Sequence, residues 1–338
     1  MKFLDLFSGI GGFRLGLERN GHIPAGYVEI DKFARQSYEA MYDTTGEWTA
    51  TDITKVTNEE WSKFNGTVEI IAGGFPCQAF SIAGNRKGFL DETKGTLFFE
   101  IARAAQQIKP RYLFLENVKG LLNHEGGDTF RTILNTLDEL GYDVEWRLLN
   151  SKDFGVPQNR ERVYIIGHLR GDSGREVFSF FGEDGEVNPT TINDLTSSDN
   201  PRHGRRGNVI GVDGLSPTLT ATDYKEPQKI LINPAHVKQV GNISDSNSFG
   251  GNPQVGRVYS DKGLSPTLNT MQGGGREPKV LTDMRIRKLT PKECWRLQAF
   301  PDELFEKAKA SGMSDSQLYK QAGNSVTVNV IEYIANKF

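Results

Sequence analysis

The sequence predicts an α/β protein that has an open, parallel sheet with helices on both faces and a smaller, loop-rich β domain. In the first ~170 residues, short apolar β-rich runs alternate with helical patterns, as they do in βαβ units. From about residue 172 the chain is rich in Gly, Asn, Ser, Asp and Pro, and it has few long periodic segments. We therefore expect one domain at residues 1–171, a second at 172–301, and a C-terminal segment, 302–338, that returns to the first.

Each strand predicted for the first domain is an apolar run bounded by glycine or turn residues. The strands are expected at residues 3–7, 26–30, 69–72, 112–116 and 163–167. Helical spacing occurs at residues 13–20, 97–107 and 130–140, and the glycines at 21 and 141 are natural stops. A further helix is expected at residues 290–299, which begin with the capping pattern Thr-Pro-Lys-Glu. The apolar run at residues 325–334 is expected to rejoin the first domain.

Composition argues against several classes of protein. The 338 residues are 37% hydrophobic and 25% charged, and no run approaches the ~18 apolar residues of a membrane span. Asp5 interrupts the apolar N-terminus, which predicts a strand in place of a signal peptide and a cytoplasmic location. The two cysteines, Cys77 and Cys294, lack the paired Cys and His spacing of zinc sites, so we expect neither a structural metal nor a disulfide framework.

The second domain is basic and carries an internal repeat. Residues 200–290 contain 13 Lys and Arg against 7 Asp and Glu, although the whole chain has a net charge of −3, so this region is suited to contact a polyanion. Gly-Leu-Ser-Pro-Thr-Leu occurs at residues 214–219 and again at 263–268, and Glu-Pro and a short apolar run follow each copy. We expect two related strand–turn units, since two copies are too few for a solenoid.

A glycine-rich turn predicts a nucleotide-type ligand. Phe-Ser-Gly-Ile-Gly-Gly at residues 7–12 lies where the first strand meets the first helix, the place at which open α/β sheets bind such ligands. Glu29 ends the second strand, 20 residues after Gly9, and can accept both hydroxyls of a ribose. Arg14 replaces the third glycine of the dinucleotide fingerprint, and Asp52 ends a third strand region. These residues favour an adenosine-containing ligand without pyrophosphate; a tight turn of purely structural value is the alternative.

A cysteine follows the next predicted strand. Cys77 lies in Gly-Gly-Phe-Pro-Cys-Gln at residues 73–78, where Pro76 fixes the backbone just before the thiol. Arg86 and Lys87 follow in the same loop and can supply the positive charge that a thiolate needs. The position beside the glycine-rich turn favours a nucleophile, and an inert packed thiol is the alternative.

Two further strands carry charged side chains to the same edge of the sheet. Glu116 ends the predicted strand at 112–116, where burial would raise its pKa toward an acid role. Arg160 and Arg162 precede the strand at 163–167, and alternation puts both guanidinium groups on one face. Surface ion pairing is the alternative interpretation of the two arginines.

Taken together, these segments resemble the DNA (cytosine-5)-methyltransferases of bacterial or phage type. The resemblance covers nearly the whole chain, because six segments match the family's motifs in the family's order. They are the S-adenosylmethionine loop at 7–12, the Pro-Cys-Gln motif within 73–78, Glu-Asn-Val at 116–118, Gln-x-Arg-x-Arg at 158–162, the segment at 287–294 that closes the recognition region, and Gln-Ala-Gly-Asn-Ser-Val at 321–326. The resemblance implies a Rossmann-like S-adenosylmethionine-dependent methyltransferase sheet with a smaller, loop-rich β target-recognition domain.

The resemblance also implies a reaction and its residues. Cys77 adds to C6 of a cytosine, so that C5 can attack the methyl group of S-adenosyl-L-methionine and leave S-adenosyl-L-homocysteine. Glu116 protonates N3, while Arg160 and Arg162 hold the O2 edge and the surroundings of the thiol. Among the cofactor positions, Glu29 binds the ribose and Asp52 the adenine amino group. The matched cofactor-binding positions are Phe7, Gly9, Gly11, Gly12, Glu29, Ile30, Asp52, Ile53, Pro76, Leu97, Asn324 and Ser325.

Double-stranded DNA is the partner that the resemblance implies. Its cytosine must be flipped out of the stack, and residues 79–96 resemble the mobile loop that closes over it. A cognate restriction endonuclease that acts separately is a further expected partner, no membrane is expected, and the protein is expected to be a monomer. The first repeat, around Thr218 and Leu219, has no assigned role, and Cys294 is expected to be structural. The DNA-binding candidates are Ser81, Arg86, Lys87, Arg257, Tyr259, Thr267, Gly273 and Gly274.

Three other functions compete with this interpretation. A tRNA cytosine-5 methyltransferase of the same superfamily would share the Pro-Cys-Gln and Glu-Asn-Val motifs, although the long recognition region argues against it. A nucleotide-dependent oxidoreductase would use the glycine turn and Glu29 but would leave Cys77, Glu116 and the paired arginines unexplained. A catalytically dead DNA-binding protein is the third alternative, and the intact motifs argue against it.

Overall fold

The protein was described from a computed structural model. The structure describes residues 1–76, 97–171, 177–178, 191–194, 208–210, 229–230, 237, 239–242, 244, 257–260, 263–268, 278–282 and 285–338. None of the helices in these ranges combines the length and the apolarity that crossing a bilayer requires.

A seven-stranded sheet forms the centre of the first domain. Its strands are β1 (Lys2–Leu6), β2 (Ile23–Val28), β3 (Trp48–Ala50), β4 (Ile70–Gly74), β5 (Tyr112–Val118), β6 (Tyr142–Asn150) and β7 (Glu161–Leu169). They lie in the order β3, β2, β1, β4, β5, β7, β6, and the first five are parallel to one another. Each of the five strands predicted from the sequence is confirmed, with its ends shifted by a few residues.

The direction of the strands at one edge differs from the prediction of a parallel sheet. The run predicted at 163–167 lies in β7, which is antiparallel to both β5 and β6. β6 itself was not predicted. Only residues 151–160 connect β6 to β7, and a parallel crossover takes a dozen residues or more, so the two strands must pair as antiparallel neighbours.

Helices cover both faces of the sheet. In the first domain they are α1 (Gly12–Arg19), α2 (Lys32–Met41), α3 (Asn58–Ser62), α4 (Leu97–Ile108) and α5 (Asp128–Glu139). In the C-terminal part they are α6 (Pro291–Leu297), α7 (Asp302–Ala310), α8 (Asp315–Asn324) and α9 (Val328–Ala335). The helices predicted at 13–20, 97–107, 130–140 and 290–299 are confirmed as α1, α4, α5 and α6, whereas α2 and α3 were not predicted.

Alternate residues of the central strands pack into opposite layers. Leu4 and Ile71 belong to one buried cluster, which α4 and α5 cover. Phe3 and Ile70, their chain neighbours, belong to a second cluster, which α1 and α9 cover. Both faces of these strands are therefore buried, which is why they read as continuous apolar runs in the sequence.

The C-terminal segment returns to the first domain, as predicted for residues 325–334. α9 packs along α1, and the approach is close at Gly16, where an added Cβ would lie 2.7 Å from the Cβ of Ile331 and 2.9 Å from the amide nitrogen of Glu332. Only a glycine permits this distance between the two helices. α6, α7 and α8 enclose a third cluster that contains Cys294 and Trp295, and the complete burial of Cys294 agrees with its predicted structural role.

Residues 191–288 contain two three-strand units of the same plan. The first consists of β8 (Thr191–Asp194), β9 (Asn208–Ile210) and β10 (Lys229–Ile230). The second consists of β11 (Gln239–Asn242), β12 (Arg257–Ser260) and β13 (Lys279–Thr282), and β14 (Arg285–Lys288) extends its sheet. In each unit the middle strand pairs antiparallel with the strand before it and parallel with the strand after it.

The two units also agree in register and in connection length. The antiparallel pair β8–β9 shifts register beside Val209, and the pair β11–β12 shifts register beside Val258. Each valine is the second residue of the middle strand in its unit. Residues 211–228 connect β9 to β10, and residues 261–278, which are equally many, connect β12 to β13. Each connection contains one copy of Gly-Leu-Ser-Pro-Thr-Leu. The strand pairing agrees with two related units, whereas the turn of the first copy, with Thr218 and Leu219, lies outside the described residues.

A buried charge cluster lies below the glycine-rich turn. Arg14 of α1, the residue that replaces the fingerprint glycine, is ion-paired with Glu18 at 3.0 Å and with Glu47 at 2.9 Å. Asp5 of β1 is completely buried, close to the backbone amide and the positive charge of Arg14. Burial raises the pKa of Asp5 to about 8, although the positive charge of Arg14 acts in the opposite direction.

We expect Gly16→Ala to destabilise the protein by about 1–3 kcal/mol, because the new methyl group must push α9 away from α1. Gly120→Ala is the matched control, since its added Cβ would come no closer than 3.9 Å to another group. Urea denaturation of both variants measures the difference. Equal stability of the two variants would show that the helices do not pack this closely.

We expect the stability of the wild type to fall as the pH rises, relative to Asp5→Asn. Between the unfolded pKa of about 3.9 and the folded pKa of about 8, the folded state binds the additional proton. The free energy of unfolding therefore falls by up to about 1.4 kcal/mol per pH unit, and the loss is complete above the folded pKa. Denaturation of both proteins between pH 5.5 and 9 measures this difference, and a pH-independent difference would contradict the burial of a titrating Asp5.

Candidate active site

A cavity of about 700 Å³ opens at the carboxyl ends of the parallel strands. It lies at the edge of the sheet where the end of β4 meets the end of β5 and the start of β7. Many of the residues that the sequence predicted for catalysis or cofactor binding line it. They are Phe7, Gly9, Glu29, Ile30, Pro76, Leu97, Glu116, Arg160, Arg162, Asn324 and Ser325.

The glycine-rich turn has a backbone that few residues adopt. Phe7 and Gly9 have φ angles of 60° and 55°, and Gly11, with φ of 79°, is the N-cap of α1. The amide of Ser8 donates to the carbonyl of Val28 at 3.0 Å, which ties the turn to the end of β2. The turn thus bends out of β1 and exposes backbone toward the cavity before α1 begins.

Glu29 is held in a fixed orientation beside this turn. Its Oε2 accepts from the amide of Gly9 and its Oε1 accepts from the amide of Asp31, both at 2.7 Å. Burial raises the pKa of Glu29, and the two amide hydrogen bonds act in the opposite direction. The next residue, Ile30, leaves 69% of its side chain exposed at the cavity wall, so the pair presents an acceptor and an apolar surface side by side.

Four predicted cofactor residues do not line the cavity. Gly11 is packed against Tyr42 and Gly12 against Val326. An added Cβ would lie 2.5 Å from the Tyr42 ring at Gly11 and 2.7 Å from Cγ2 of Val326 at Gly12. Ile53 is buried in the cluster that α4 and α5 cover. Asp52 caps a short 3₁₀ turn, and its Oδ1 accepts from both the amide and the hydroxyl of Thr54. The adenine role of Asp52 therefore stays a prediction.

The segment that leads to Cys77 is anchored at the cavity wall. Asn117, which is buried, donates from Nδ2 to the carbonyl of Phe75 at 2.8 Å and so joins the ends of β5 and β4. Gly74 has no room for a side chain, because a Cβ there would lie 2.9 Å from Oε2 of Glu116. Pro76 lines the cavity, and Cys77, the next residue, lies outside the described residues.

Glu116 and Arg162 form an ion pair in the wall. Nε of Arg162 lies 3.0 Å from Oε1 of Glu116, and Glu116 is only 8% exposed. Burial raises the pKa of Glu116, and the charges of Arg162 and Arg160 oppose that shift. The carboxyl group is therefore oriented by a guanidinium and holds a proton to a higher pH than an exposed glutamate does.

Arg160 also lines the cavity, but its hydrogen bonds differ from those predicted for a residue at the reacting base. Nη1 donates to the carbonyl of Leu268 at 3.2 Å, and Nη2 donates to the carbonyls of Gly323 at 3.1 Å and Ser325 at 2.8 Å. Burial lowers the pKa of Arg160 to about 9, and at neutral pH the guanidinium is still protonated. Its terminal nitrogens therefore bind the backbone of two distant segments.

Sequence reasoning missed part of the cavity wall. Lys320 and Asp31 form an ion pair of 2.5 Å at its rim, and Gln321 donates to the carbonyl of Phe33 at 3.1 Å. The signals were present, since Asp31 follows Ile30 as the N-cap of α2 and Gln321 opens the motif at 321–326. The other residues not predicted as site residues are Ile10, Ala34, Gly74, Phe75, Asn117, Val118, Leu268 and Gly323.

The predicted DNA-binding residues fall partly within the described structure. Arg257 and Tyr259 lie on β12, two residues apart and thus on one face of the strand. Thr267 is exposed, yet its hydroxyl donates to the carbonyl of Asn159 at 2.6 Å and so ties the recognition region to the first domain. Ser81, Arg86, Lys87, Gly273 and Gly274 lie outside the described residues.

Known proteins with similar sequences point to one family. Residues 1–338 match the family described as C-5 cytosine-specific DNA methylase. The chain is 37% identical to the Type II methyltransferase M.HhaI of Haemophilus parahaemolyticus, with 99% of this chain and 93% of that protein covered. It is 34% identical to the orphan methyltransferase M.SPRI of Bacillus phage SPR, with coverage of 99% and 96%.

Solved structures show the same fold. A putative DNA modification methyltransferase encoded within an Escherichia coli prophage superposes with a TM-score of 0.63 at 22% identity, and the match covers 100% of this chain and 98% of that one. The S. pombe Dnmt2 methyltransferase gives a TM-score of 0.61 at 19% identity, with coverage of 98% and 96%. From the match along its whole length, the chain belongs to the C-5 cytosine-specific DNA methylase family and is a DNA (cytosine-5-)-methyltransferase.

Proposed function

We propose that the enzyme transfers a methyl group from S-adenosyl-L-methionine to C5 of a cytosine flipped out of duplex DNA, with Cys77 as the covalent nucleophile. The observation that carries this proposal is the Glu116–Arg162 pair, which lies in the wall of the cavity that Glu29 and Pro76 also line. An acid, a ribose acceptor and the residue before the thiol thus share one cavity.

The cavity suits S-adenosyl-L-methionine in size and in chemistry. About 700 Å³ is within the range of sites that hold small organic ligands. We propose that Glu29 accepts the ribose hydroxyls, since two backbone amides already orient its carboxylate, and that Ile30 packs against the adenine. Bound there, the cofactor supplies an electrophilic methyl group. The other residues proposed to hold it are Phe7, Gly9, Pro76, Leu97, Asn324 and Ser325.

The cytosine needs activation because its C5 is a weak nucleophile. We propose that the Cys77 thiolate adds to C6 while Glu116 donates a proton to N3, which leaves an enamine with a nucleophilic C5. After C5 has been methylated, loss of its proton to a base expels the thiolate and restores the aromatic ring. Burial of Glu116 raises its pKa, which favours the protonated form that this step requires.

Arg162 is proposed to orient Glu116 and to donate to O2 of the same base. Its Nε is committed to Glu116, and its Nη1 donates to the carbonyl of Glu161 at 2.8 Å. A guanidinium has five donors in one plane, so a single side chain can serve both the acid and the substrate edge. A lysine could not keep both contacts in the same geometry.

Duplex DNA is proposed to lie across the recognition region, which carries the excess of positive charge. Arg257 and Tyr259 share one face of β12 and are proposed to contact bases or phosphates. The contacts of Ser81, Arg86, Lys87, Gly273 and Gly274 stay predictions. A separately acting cognate endonuclease and a monomeric state also stay predictions.

The activity is tested by incubating the protein with labelled S-adenosyl-L-methionine and either duplex DNA or tRNA. We expect label in the DNA alone, and methylation sequencing of DNA from cells that express the protein then gives the recognised site. Label that enters only tRNA would contradict the DNA substrate.

We expect Cys77→Ser to abolish methylation and Glu116→Gln to slow it by about 10²–10⁴-fold, because the first removes the nucleophile and the second the proton donor. Both should still bind S-adenosyl-L-homocysteine, as measured by a thermal shift. Cys294→Ala is the matched control, since it changes the other cysteine of the chain, which is buried away from the cavity. Methylation retained by Cys77→Ser would disprove the covalent step.

A further inference from the structure

The guanidinium of Arg160 connects two segments that are far apart in the sequence. One is the segment at residues 263–268, which is the second copy of the repeat and is bound through the carbonyl of Leu268. The other is the end of α8, through the carbonyls of Gly323 and Ser325. Arg160 is only 2% exposed, so leaving one of these buried polar groups without its partner would be costly.

The first of these segments is held against the first domain at several points. The amide of Ser265 donates to the carbonyl of Pro157 at 2.6 Å, and the amide of Asn159 donates back to the carbonyl of Ser265 at 2.9 Å. The amide of Leu268 donates to Oε1 of Gln158 at 3.4 Å. Residues 263–268 therefore lie along residues 157–160 as an extended segment and end at Arg160.

The second segment forms part of the proposed cofactor site. Asn324 and Ser325 line the cavity, and Leu268 lines it as well. The side chain of Leu268 also packs in the same buried cluster as Ala322 of α8. The two segments are thus joined at the cavity by a shared apolar cluster and by the guanidinium of Arg160.

We infer that Arg160 is a positioning residue that couples DNA recognition to cofactor binding. The inference rests on the proposed function, which supplies a ligand at each end: DNA at the recognition region and S-adenosyl-L-methionine or its product at residues 323–325. Because a guanidinium is a rigid plane, a displacement of the Gly323 and Ser325 carbonyls, which are bound to Nη2, also moves the Leu268 carbonyl, which is bound to Nη1.

The coupling is reciprocal by thermodynamic necessity. If a ligand bound at residues 323–325 strengthens DNA binding by ordering residues 263–268, DNA must strengthen the binding of that ligand by the same factor. Lysine cannot replace the arginine in this role. A lysine has one ammonium nitrogen, whereas Arg160 donates to the three carbonyls from two separate nitrogens of its planar guanidinium.

The test measures hydrogen–deuterium exchange of the full chain with and without S-adenosyl-L-homocysteine, in the absence of DNA. In the wild type we expect the ligand to slow exchange in peptides that cover 323–325 and in peptides that cover 263–268. In Arg160→Lys and Arg160→Gln we expect slower exchange at 323–325 only. Arg170→Lys is the matched control, because Arg170 also donates to two backbone carbonyls, those of Asp138 and Tyr142, but does not line the cavity; it should keep both effects.

A second arm uses duplex DNA that contains the mapped methylation site. We expect this DNA to tighten the binding of S-adenosyl-L-homocysteine by about fivefold or more in the wild type and in Arg170→Lys, and to leave it unchanged in Arg160→Lys. A purely structural role of Arg160 would lower both affinities without changing their ratio.

The outcomes separate the coupling from the proposed function. If the wild type shows a thermal shift with S-adenosyl-L-homocysteine but no slower exchange at 263–268, the coupling is disproved and the cofactor site stands; this holds even if the Arg160 variants do not fold. Slower exchange at both segments in Arg160→Lys would also overturn it. A wild type that gives no thermal shift would overturn the proposed function and the coupling with it.

Discussion

The antiparallel pairing of β7 with β5 is the constraint on which the cavity depends. A parallel neighbour of β5 would bring its carboxyl end to this edge of the sheet, whereas β7 brings its amino end. Arg162 therefore lies opposite Val118, two residues beyond Glu116, and the segment that carries Arg160 ends beside it. Without a cation at that place, a carboxylate as buried as Glu116 would have no compensating charge.

Buried polar groups hold the walls of the cavity together. Gln158 and Gln298 are both completely buried, and their amide groups donate to the carbonyls of Leu297 and Ala322 at 2.8 Å. Thr327 donates to Gln298 and bonds Ser151, again at 2.8 Å each. Removing one partner from such a network leaves another buried group unsatisfied. The buried hydrogen bonds therefore hold the C-terminal helices on the first domain in addition to the apolar contacts.

The parts of the fold that could be predicted are those in which one local pattern decides the structure. Apolar runs such as the one containing Leu113 and Phe114 read as strands because both of their faces are buried. β6 was missed although Val144, Trp146 and Leu148 alternate with polar residues; its half-exposed face breaks the apolar run. The direction of β7 was missed because strand direction depends on the connection before it and not on the strand itself.

The same distinction explains the site. The motifs around Glu29 and Glu116 placed these residues at one cavity, because the carboxyl ends of neighbouring parallel strands lie together; Arg162 joins them from the amino end of the antiparallel β7. The partners of Arg160 could not be predicted in this way. They are backbone carbonyls of Leu268, Gly323 and Ser325, which carry no signal of residue type and lie more than a hundred positions along the chain.

The two matching three-strand units of the recognition region have a consequence for how the protein can change. A duplicated unit gives a lineage two templates, so one of them can accumulate substitutions while the other continues to support the parent activity. In this chain the hexapeptide turns have remained identical while the sequences after them differ, Thr-Ala-Thr-Asp-Tyr in one copy and Asn-Thr-Met-Gln-Gly in the other. The residues just before the hexapeptides also differ, Gly-Val-Asp in one copy and Ser-Asp-Lys in the other, so the hexapeptide is the constant part of a unit whose flanking residues are free to change.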